Sequence, residues 1–320
     1  MKSKSIPNSI HNSYGNHLII IGLVVICMFS GISPPLALLL GFVTAQFIEN
    51  PLKSITSNTI NWLLKLSVIG LGFGMNAQSA IQASISSLWL TMGSIVLTLC
   101  IGLALGRYLG VDNKISQLIS SGTAICGGSA IAAISPIIKA DKKQISMALG
   151  IVFALNSLAL FIFPIIGQYF EMSQYQFGVW CAIAIHDTSS VIGAAEVYGN
   201  EALQVATTVK LARALWILPV SLLFMAFSKK SSKKIKIPYF IGLFILAVLA
   251  NTYLPSIGFV YPYIVHMAKI GLIITLFLIG LGLTKKALKA LGAKAMVLGT
   301  ITWIVVATTT LIAILFTVSQ

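Results

Sequence analysis

The chain has 320 residues, of which 57% are hydrophobic and only 9% are charged, and its mean hydropathy is +0.96. A soluble globular domain carries about 25% charged residues, so this composition excludes a soluble protein and predicts an integral membrane protein. The formal net charge of +14 does not indicate a nucleic-acid partner, because the lysines and arginines stand at the ends of apolar segments, as topology signals do.

A polar tail over residues 1–17 precedes a single membrane domain predicted over residues 18–320. The first apolar run resembles a signal peptide, but no small-residue cleavage site follows it, so we expect a membrane helix. A membrane span needs about 20 apolar residues at roughly 1.5 Å each, which predicts an all-α bundle of about eleven transmembrane segments. The predicted segments are 18–32, 34–48, 58–76, 87–109, 115–138, 145–167, 175–198, 203–227, 238–253, 262–283 and 295–317.

Charge placement predicts a cytoplasmic N-terminus, since the two large lysine clusters (229–236 and 285–294) then lie inside. One loop disagrees, because its lysines between residues 139 and 143 would lie outside. The disagreement disappears if segments 115–138 and 175–198 are re-entrant hairpins that enter from opposite sides, which leaves nine crossings. We favour eleven crossings, because charge bias tolerates one dissenting loop. Both schemes place the C-terminus outside.

The fifth segment contains the sequence Gly122-Thr-Ala-Ile-Cys-Gly-Gly-Ser-Ala-Ile-Ala-Ala133. Its central Gly127 and Gly128 favour unwinding of a membrane helix, and hydroxyl groups nearby can cover the freed backbone. A helix that restarts after such a break presents unpaired N–H groups, which attract anions. Close helix packing through small residues is the alternative interpretation. The predicted binding residues of this stretch are Thr123, Cys126, Gly127, Gly128 and Ser129.

The seventh segment contains Ala184-Ile-His-Asp-Thr-Ser-Ser-Val-Ile-Gly-Ala-Ala195. Asp187 is the only acidic residue predicted deep within a segment, where a carboxylate costs roughly 2.5–3.5 kcal/mol and needs partners or a cavity. Together with His186 it could exchange protons or hold a coupling cation. Alternatively, Asp187 only caps a second half-helix and pairs with a cation. The predicted coupling residues are His186 and Asp187, and the predicted binding residues beside them are Thr188, Ser189 and Ser190.

The next segment carries Lys210 and Arg213, which lie one helical turn apart on one side of the helix. Lys65 and Lys269 also fall within segments, although both can snorkel towards an interface. Up to four deep cations therefore accompany one deep acid, Asp187, and this excess favours an anionic solute. Lys210 and Arg213 are predicted either to compensate Asp187 or to bind the anion directly.

Enzyme motifs are absent from the sequence. It contains no H-E-x-x-H, no G-x-S-x-G and no P-loop, and its four cysteines have no metal-ligand spacing. Cys126 and His186 could form a nucleophile–base pair, but a cysteine in an apolar run is usually inert. We therefore expect no enzymatic activity, no metal and no cofactor. A membrane-embedded sensor or an enzyme that uses these two residues is the alternative from another class.

Two sequence echoes bear on internal repeats. Ile69-Gly-Leu-Gly72 recurs as Ile279-Gly-Leu-Gly282, and Ala124-Ile-Cys126 resembles Ala184-Ile-His186. They fit inverted repeats of the kind found in transporters, in which interrupted helices form a site near the bilayer midplane. Chance matches between apolar sequences of low complexity are the alternative.

These stretches resemble the YeiH-like family of bacterial membrane proteins, which is often labelled a family of sulfate exporters. The two glycine-, serine- and threonine-rich motifs are the specific part of the resemblance, which covers most of the chain from the second segment onward. The family is similar in fold to cation/proton antiporters and bile-acid symporters. The resemblance implies inverted repeats and two discontinuous helices, and it implies secondary transport more strongly than it implies sulfate.

We therefore predict a multi-pass transporter of the bacterial plasma membrane that moves a small inorganic or organic anion by alternating access. No nucleotide-binding motif is present, so the energy source would be an ion or solute gradient. The expected partners are the anion, a coupling proton or sodium ion, and the lipid bilayer, while homo-oligomerisation stays open. An anion channel is the alternative within transport.

Overall fold

The computed structural model describes residues 8–29, 31–48, 53–227, 239–285 and 291–317. Within these ranges the chain forms α-helices and one short 3-10 helix, and no strand occurs there, which confirms the all-helical prediction. The helices are α1 Asn8–Phe29, α2 Pro34–Phe47, α3 Lys53–Gly72, α4 Ala77–Ser86, α5 Leu88–Tyr108, α6 Asn113–Ala124, α7 Gly128–Ile134, α8 Lys142–Tyr169, α9 Gln174–Ala184, α10 Thr188–Tyr198, α11 Asn200–Ala214, α12 Ile217–Phe227, α13 Tyr239–Tyr253, the 3-10 helix Pro255–Val260, α14 Tyr261–Gly282 and α15 Ala293–Thr317.

Nine apolar helical stretches correspond to nine of the eleven predicted segments. Five are long and apolar enough to cross a membrane: Leu88–Tyr108, Lys143–Tyr169, Asn200–Ala226, Ile257–Gly282 and Ala293–Thr317. Four are shorter: Asn16–Phe29, Pro34–Phe47, Trp62–Gly72 and Tyr239–Tyr253. The remaining two predicted segments, 115–138 and 175–198, are not single helices. The predicted count of eleven crossing segments is therefore not confirmed.

Three differences from the predicted segments bear on the fold. Helix α1 begins at Asn8, inside the predicted polar tail. Helix α4 was not predicted; it starts after Asn76, whose side chain accepts the backbone N–H groups of Gln78 and Ser79 as an N-cap. The predicted segment 203–227 is divided between α11 and α12 by a turn at residues 215–216.

Helices α6 and α7 form a hairpin, here called the first hairpin (residues 113–139). At its open end, Lys114 Nζ donates to the carbonyl of Lys139 at 2.8 Å. Near its tip, a Cβ added at Gly122 would lie 3.0 Å from Ile131 Cδ1. Residues nine positions apart in a continuous helix are separated by about 13.5 Å along the axis. The chain must therefore turn back between the two helices.

Helices α9 and α10 form the second hairpin (residues 174–198). The rings of Phe177 and Tyr198, at its open end, stack with centroids 3.8 Å apart. Cys181 Sγ lies 3.6 Å from the carbonyl of Val191, closer to the tip. Because α8 separates the two hairpins, their open ends face opposite ends of the helix bundle.

The helices pack in two groups. In the first group, α14 packs on α1, α2 and α3, and α13 packs on α3. The second group comprises α4 to α12 with α15, and its contacts include α4 and α9 on α11, α5 on α6 and α15 on α8. Helix α10 touches α2 and α14 across the boundary between the groups. Both hairpins therefore belong to one group of helices, and the second hairpin borders the other group.

Glycines allow close backbone contact in the first group. A Cβ added at Gly41 of α2 would collide with the carbonyl of Phe277, and one added at Gly280 of α14 would collide with the carbonyl of Leu38. Small residues at such crossings bring membrane helices together where the lipid supplies no hydrophobic drive for association.

Candidate functional site

The tip of the first hairpin is formed by residues 125–127, between the end of α6 and the start of α7. Gly127 has φ +62° and ψ −116°, a backbone conformation that favours glycine. A Cβ at this position would lie 3.2 Å from Val152 Cγ1 and 3.5 Å from Asp187 Cβ. The two predicted motifs therefore meet at their tips, against α8.

The tip of the second hairpin is formed by residues 185–187, and Asp187 caps α10. Its Oδ2 accepts the hydroxyl of Ser189 and the backbone N–H of Ser190, the latter at 3.3 Å. Thr188 is the first residue of α10 and is half-buried. The predicted capping role of Asp187 is therefore present in the structure, and it uses only one of the two carboxylate oxygens.

Lys210 of α11 joins the two hairpin tips. Its Nζ donates to the carbonyls of Ile185 at 2.6 Å, Ala182 at 3.1 Å and Ile125 at 3.2 Å, and the side chain is fully buried. An ammonium group has three N–H donors, so these three carbonyls use all of them. Lys210 is therefore occupied by the backbone of the tips.

Arg213 binds the same region from one turn further along α11. Its Nε and Nη2 donate to the carbonyl of Ala124 at 2.9 and 2.5 Å, and its Nη1 donates to Ser94 Oγ at 2.9 Å. Ala124 is the last residue of α6, whose terminal carbonyls have no partner within the helix. Arg213 therefore caps α6 and links it to α5.

The two buried cations stabilise the C-terminal ends of interrupted helices. Lys210 is directed at the end of α9 and Arg213 at the end of α6, where the helix dipole is negative. The predicted ion pair with Asp187 is not formed, since the one ion pair among the described residues joins Lys269 and Glu196 at 3.3 Å. The direct contacts of the two cations are therefore the backbone carbonyls, and their compensation of the Asp187 charge stays a prediction.

The other two deep cations lie away from the tips. Lys269 pairs with Glu196 of α10, and Lys65 Nζ lies 5.4 Å from the centroid of the Trp62 ring and 5.3 Å from that of Tyr239. The predicted excess of four cations over one acid is therefore reduced at the tips to Lys210 and Arg213 against Asp187.

Buried polar atoms without partners are concentrated at the tips. The described residues contain nine such side-chain atoms. Five of them lie at the tips or on α8 beside them: Thr123 Oγ1, Asn156 Nδ2, His186 Nδ1, His186 Nε2 and Asp187 Oδ1. Each unsatisfied buried group costs about 1–3 kcal/mol, and native proteins contain few of them. These five atoms belong to the two tips and to α8 beside them, which makes them the candidate contacts for a solute, an ion or water.

Asn156 is a candidate site residue that was not predicted from the sequence. It lies in α8, is 1% exposed, and accepts the backbone N–H of His186 on its Oδ1 at 3.0 Å. An amide in the middle of an apolar segment is a signal of the same kind as Asp187, although it is weaker because an amide is uncharged.

The remaining predicted residues differ in burial. Cys126 is buried in the first tip, and Gly128 begins α7. Ser129 is exposed, so its side chain lies outside the buried cluster.

Both ring nitrogens of His186 are without a hydrogen-bond partner, so the structure shows no Cys126–His186 hydrogen bond. No group of three or more metal-ligating side chains occurs within the described ranges.

The sequence of this chain matches a known family of proteins. The family model described as conserved hypothetical protein 698 matches residues 19–299. A UPF0324 membrane protein of Photobacterium profundum is 49% identical over 93% of this chain and 91% of its own length. A UPF0324 membrane protein of Shewanella oneidensis is 46% identical over 94% of this chain and 95% of its own length. No solved structure matches the chain.

Proposed function

Because this chain belongs to the UPF0324 family of membrane proteins, described as conserved hypothetical protein 698, we propose that it is a secondary transporter of a small anion. It moves the solute by alternating access at the meeting point of the two hairpin tips. The observation that carries this proposal is the cluster of five buried polar atoms without partners at that point. If the two tips only packed against each other, there would be no reason to keep such costly polar groups unpaired.

In the proposed membrane topology, nine segments cross the bilayer and both hairpins re-enter from opposite sides. Helices α6, α7, α9 and α10 have 12, 7, 11 and 11 residues, which makes each of them about 10–18 Å long, shorter than a hydrocarbon core of about 30 Å. The contact of Lys114 with Lys139 supports a shared end for both halves of the first hairpin. Non-helical backbone at membrane depth is tolerated where it is buried in protein or lines a cavity.

The positive-inside rule supports this topology. In it, the loop at residues 139–143 lies on the same side as the end of α5 and the start of α15, so its lysines no longer disagree. The described loops at the opposite end, 31–33, 73–76, 170–173 and 254–260, contain no lysine or arginine. The lysine-rich end is the proposed cytoplasmic side of the plasma membrane. Residues 229–236 and 286–289, which hold most of the two lysine clusters, lie outside the described ranges.

Cysteine labelling tests the topology. In a cysteine-free background we expect an impermeant maleimide to label Asn200→Cys in intact cells, but to label Asn113→Cys and Lys143→Cys only after permeabilisation. All three residues are exposed, and they lie at the open ends of the second hairpin, the first hairpin and α8. Eleven crossings would put residues 113 and 143 on opposite sides, so labelling of only one of them in intact cells would contradict the hairpin topology.

The residues at the tips have separate proposed roles. His186 and Asp187 couple transport to a proton or sodium ion, because both have unpaired atoms in the buried cluster. Thr123, Cys126, Gly127 and Gly128 form the first wall of the site, with Ser129 at its margin, and Thr188, Ser189 and Ser190 form the second wall. Lys210 and Arg213 position the tips through their carbonyls and give the region a positive field that favours an anion.

The two helix groups support alternating access. The tips and their cations all belong to the second group, so movement of this group against α1–α3, α13 and α14 would carry the intact site across the membrane. The contacts of α10 with α2 and α14 lie on the surface that would slide. Sulfate is one candidate solute, through the label of the family that the sequence resembles.

Transport by purified protein in proteoliposomes tests the proposed function. We expect saturable uptake of a labelled small anion that depends on an imposed proton or sodium gradient, together with counterflow when the vesicles are preloaded with the same anion. Counterflow distinguishes a transporter from a channel. A transporter returns its binding site across the membrane loaded with solute and so exchanges one anion for another, whereas a channel lets the anion flow down its gradient. Gradient-independent leakage without counterflow would favour the channel, and the absence of any flux across a panel of inorganic and organic anions would reject transport.

A further inference from the structure

The amide of Asn156 can have only one orientation. A backbone N–H can only donate, so its contact with His186 requires the amide oxygen to face that group. The Nδ2 group then retains two N–H donors, and it has no partner although Asn156 is 1% exposed. We call this group the donor pole of the site.

Asp187 supplies the opposite chemistry. Its Oδ2 is used by Ser189 and Ser190, while Oδ1 has no partner and the residue is 7% exposed. An ionised carboxylate has no hydrogen to give, so Oδ1 can only accept. We call this oxygen the acceptor pole of the site.

The two poles belong to neighbouring residues at the second tip and to α8 beside it. Asn156 binds the backbone of His186, and Asp187 is the next residue of the chain. Consecutive Cα atoms lie about 3.8 Å apart. The imidazole of His186 adds two unpaired nitrogens, one able to donate and one to accept when the ring is neutral.

We propose that the solute carries both an oxyanion group and an O–H or N–H donor of its own, as small hydroxy acids and amino acids or amino sulfonates do. Its oxyanion accepts from Asn156 Nδ2, and its donor binds Asp187 Oδ1. A fully deprotonated oxyanion such as sulfate offers acceptors only, so it would set a negative oxygen against the carboxylate of Asp187. The proposed solute class rests on the transport function proposed above, and it makes Asp187 a solute contact as well as a coupling group.

Binding of matched solute pairs to the purified protein tests this class. The probes are glycolate against acetate and isethionate against ethanesulfonate, which differ by one hydroxyl, with titration calorimetry as the readout. We expect the hydroxylated member of each pair to bind at least about tenfold more tightly, since its charge-assisted hydrogen bond to Asp187 is absent in the other. Asp187→Asn should reduce the preference below about threefold, because a neutral amide bonds the hydroxyl less strongly and no longer repels the other anion.

A substitution at Asn156 tests the donor pole separately. Asn156→Asp keeps an oxygen that can accept the His186 N–H but removes the two N–H donors, so it should weaken both members of each pair, which share the oxyanion. Asn251→Asp is the matched control, since Asn251 of α13 donates to the Met75 carbonyl and contributes nothing to the tips, and it should leave all four affinities unchanged.

Three results would overturn the solute class. The first is equal affinities within both pairs, and the second is that neither member of either pair binds. The third is sodium-dependent binding of the member without a hydroxyl, which would place a cation at Asp187. A probe that binds as expected but shows no counterflow in proteoliposomes would instead reject the transport function. The two proposals therefore fail in different experiments.

Discussion

Lys210→Met is expected to lower the free energy of unfolding by about 3 to 5 kcal/mol, because it leaves the carbonyls of Ile125, Ala182 and Ile185 without a donor in the protein interior. Methionine has a similar length and no charge, so the loss would come from the missing hydrogen bonds rather than from a cavity. Equilibrium unfolding in mixed detergent micelles measures the difference between the variant and the wild type.

Lys114→Met is the matched control for this substitution. Lys114 also donates to a carbonyl, that of Lys139, but it lies outside the buried cluster, where water can replace the lost bond. Its loss should cost about 1 kcal/mol or less. Equal stability losses in the two variants would contradict the assignment of Lys210 as the residue that holds the hairpin tips.

Asp187→Asn is expected to reduce the initial rate of gradient-driven uptake at least about 100-fold, which corresponds to roughly 2.7 kcal/mol. Asparagine is as good an N-cap as aspartate, so α10 should keep its start and the protein should remain folded. The change removes the negative charge at Oδ1, the atom that has no partner in the buried cluster. Uptake into proteoliposomes, with the melting temperature measured in parallel, separates loss of function from loss of fold.

Asp141→Asn provides the comparison for that experiment. Asp141 caps α8 and accepts the backbone N–H of Gln144 at 2.8 Å, but it is exposed and far from the tips. It should transport at the wild-type rate. Wild-type uptake by Asp187→Asn would remove Asp187 from the coupling mechanism, whereas slow uptake by both variants would point to a general effect of losing a capping carboxylate.

The sequence was sufficient to identify the two motifs at the tips. Adjacent glycines inside an apolar segment and a single deep carboxylate are local signals, and both mark the points where helices end in the structure. The resemblance to the YeiH-like family, drawn from these same stretches, is confirmed by the family match over residues 19–299. Local chemistry therefore located the two hairpin tips and the family.

The path of the two motif segments could not be read from local signals. A crossing segment and a re-entrant hairpin contain the same apolar residues, and only the contacts of their ends distinguish them. The lysines between residues 139 and 143 were the one signal in the sequence that favoured the proposed hairpin topology over eleven crossings. The partners of Lys210 were equally hidden, since its acceptors are backbone carbonyls, which every residue possesses. Asn156 was missed because its role depends on contact with a residue 30 positions away.

The hydrogen bonds from Lys210 and Arg213 of α11 to the hairpin tips have a consequence for biosynthesis. Lys210 follows Ile125 by 85 residues, and Arg213 follows Ala124 by 89. At about 5–20 residues per second, a ribosome needs roughly 4 to 18 s to make that stretch. In the proposed topology, the first hairpin therefore reaches the translocation machinery before the side chains that satisfy its carbonyls have been made. Nascent chains arrested before residue 210 should therefore hold this hairpin beside the insertase rather than release it into lipid.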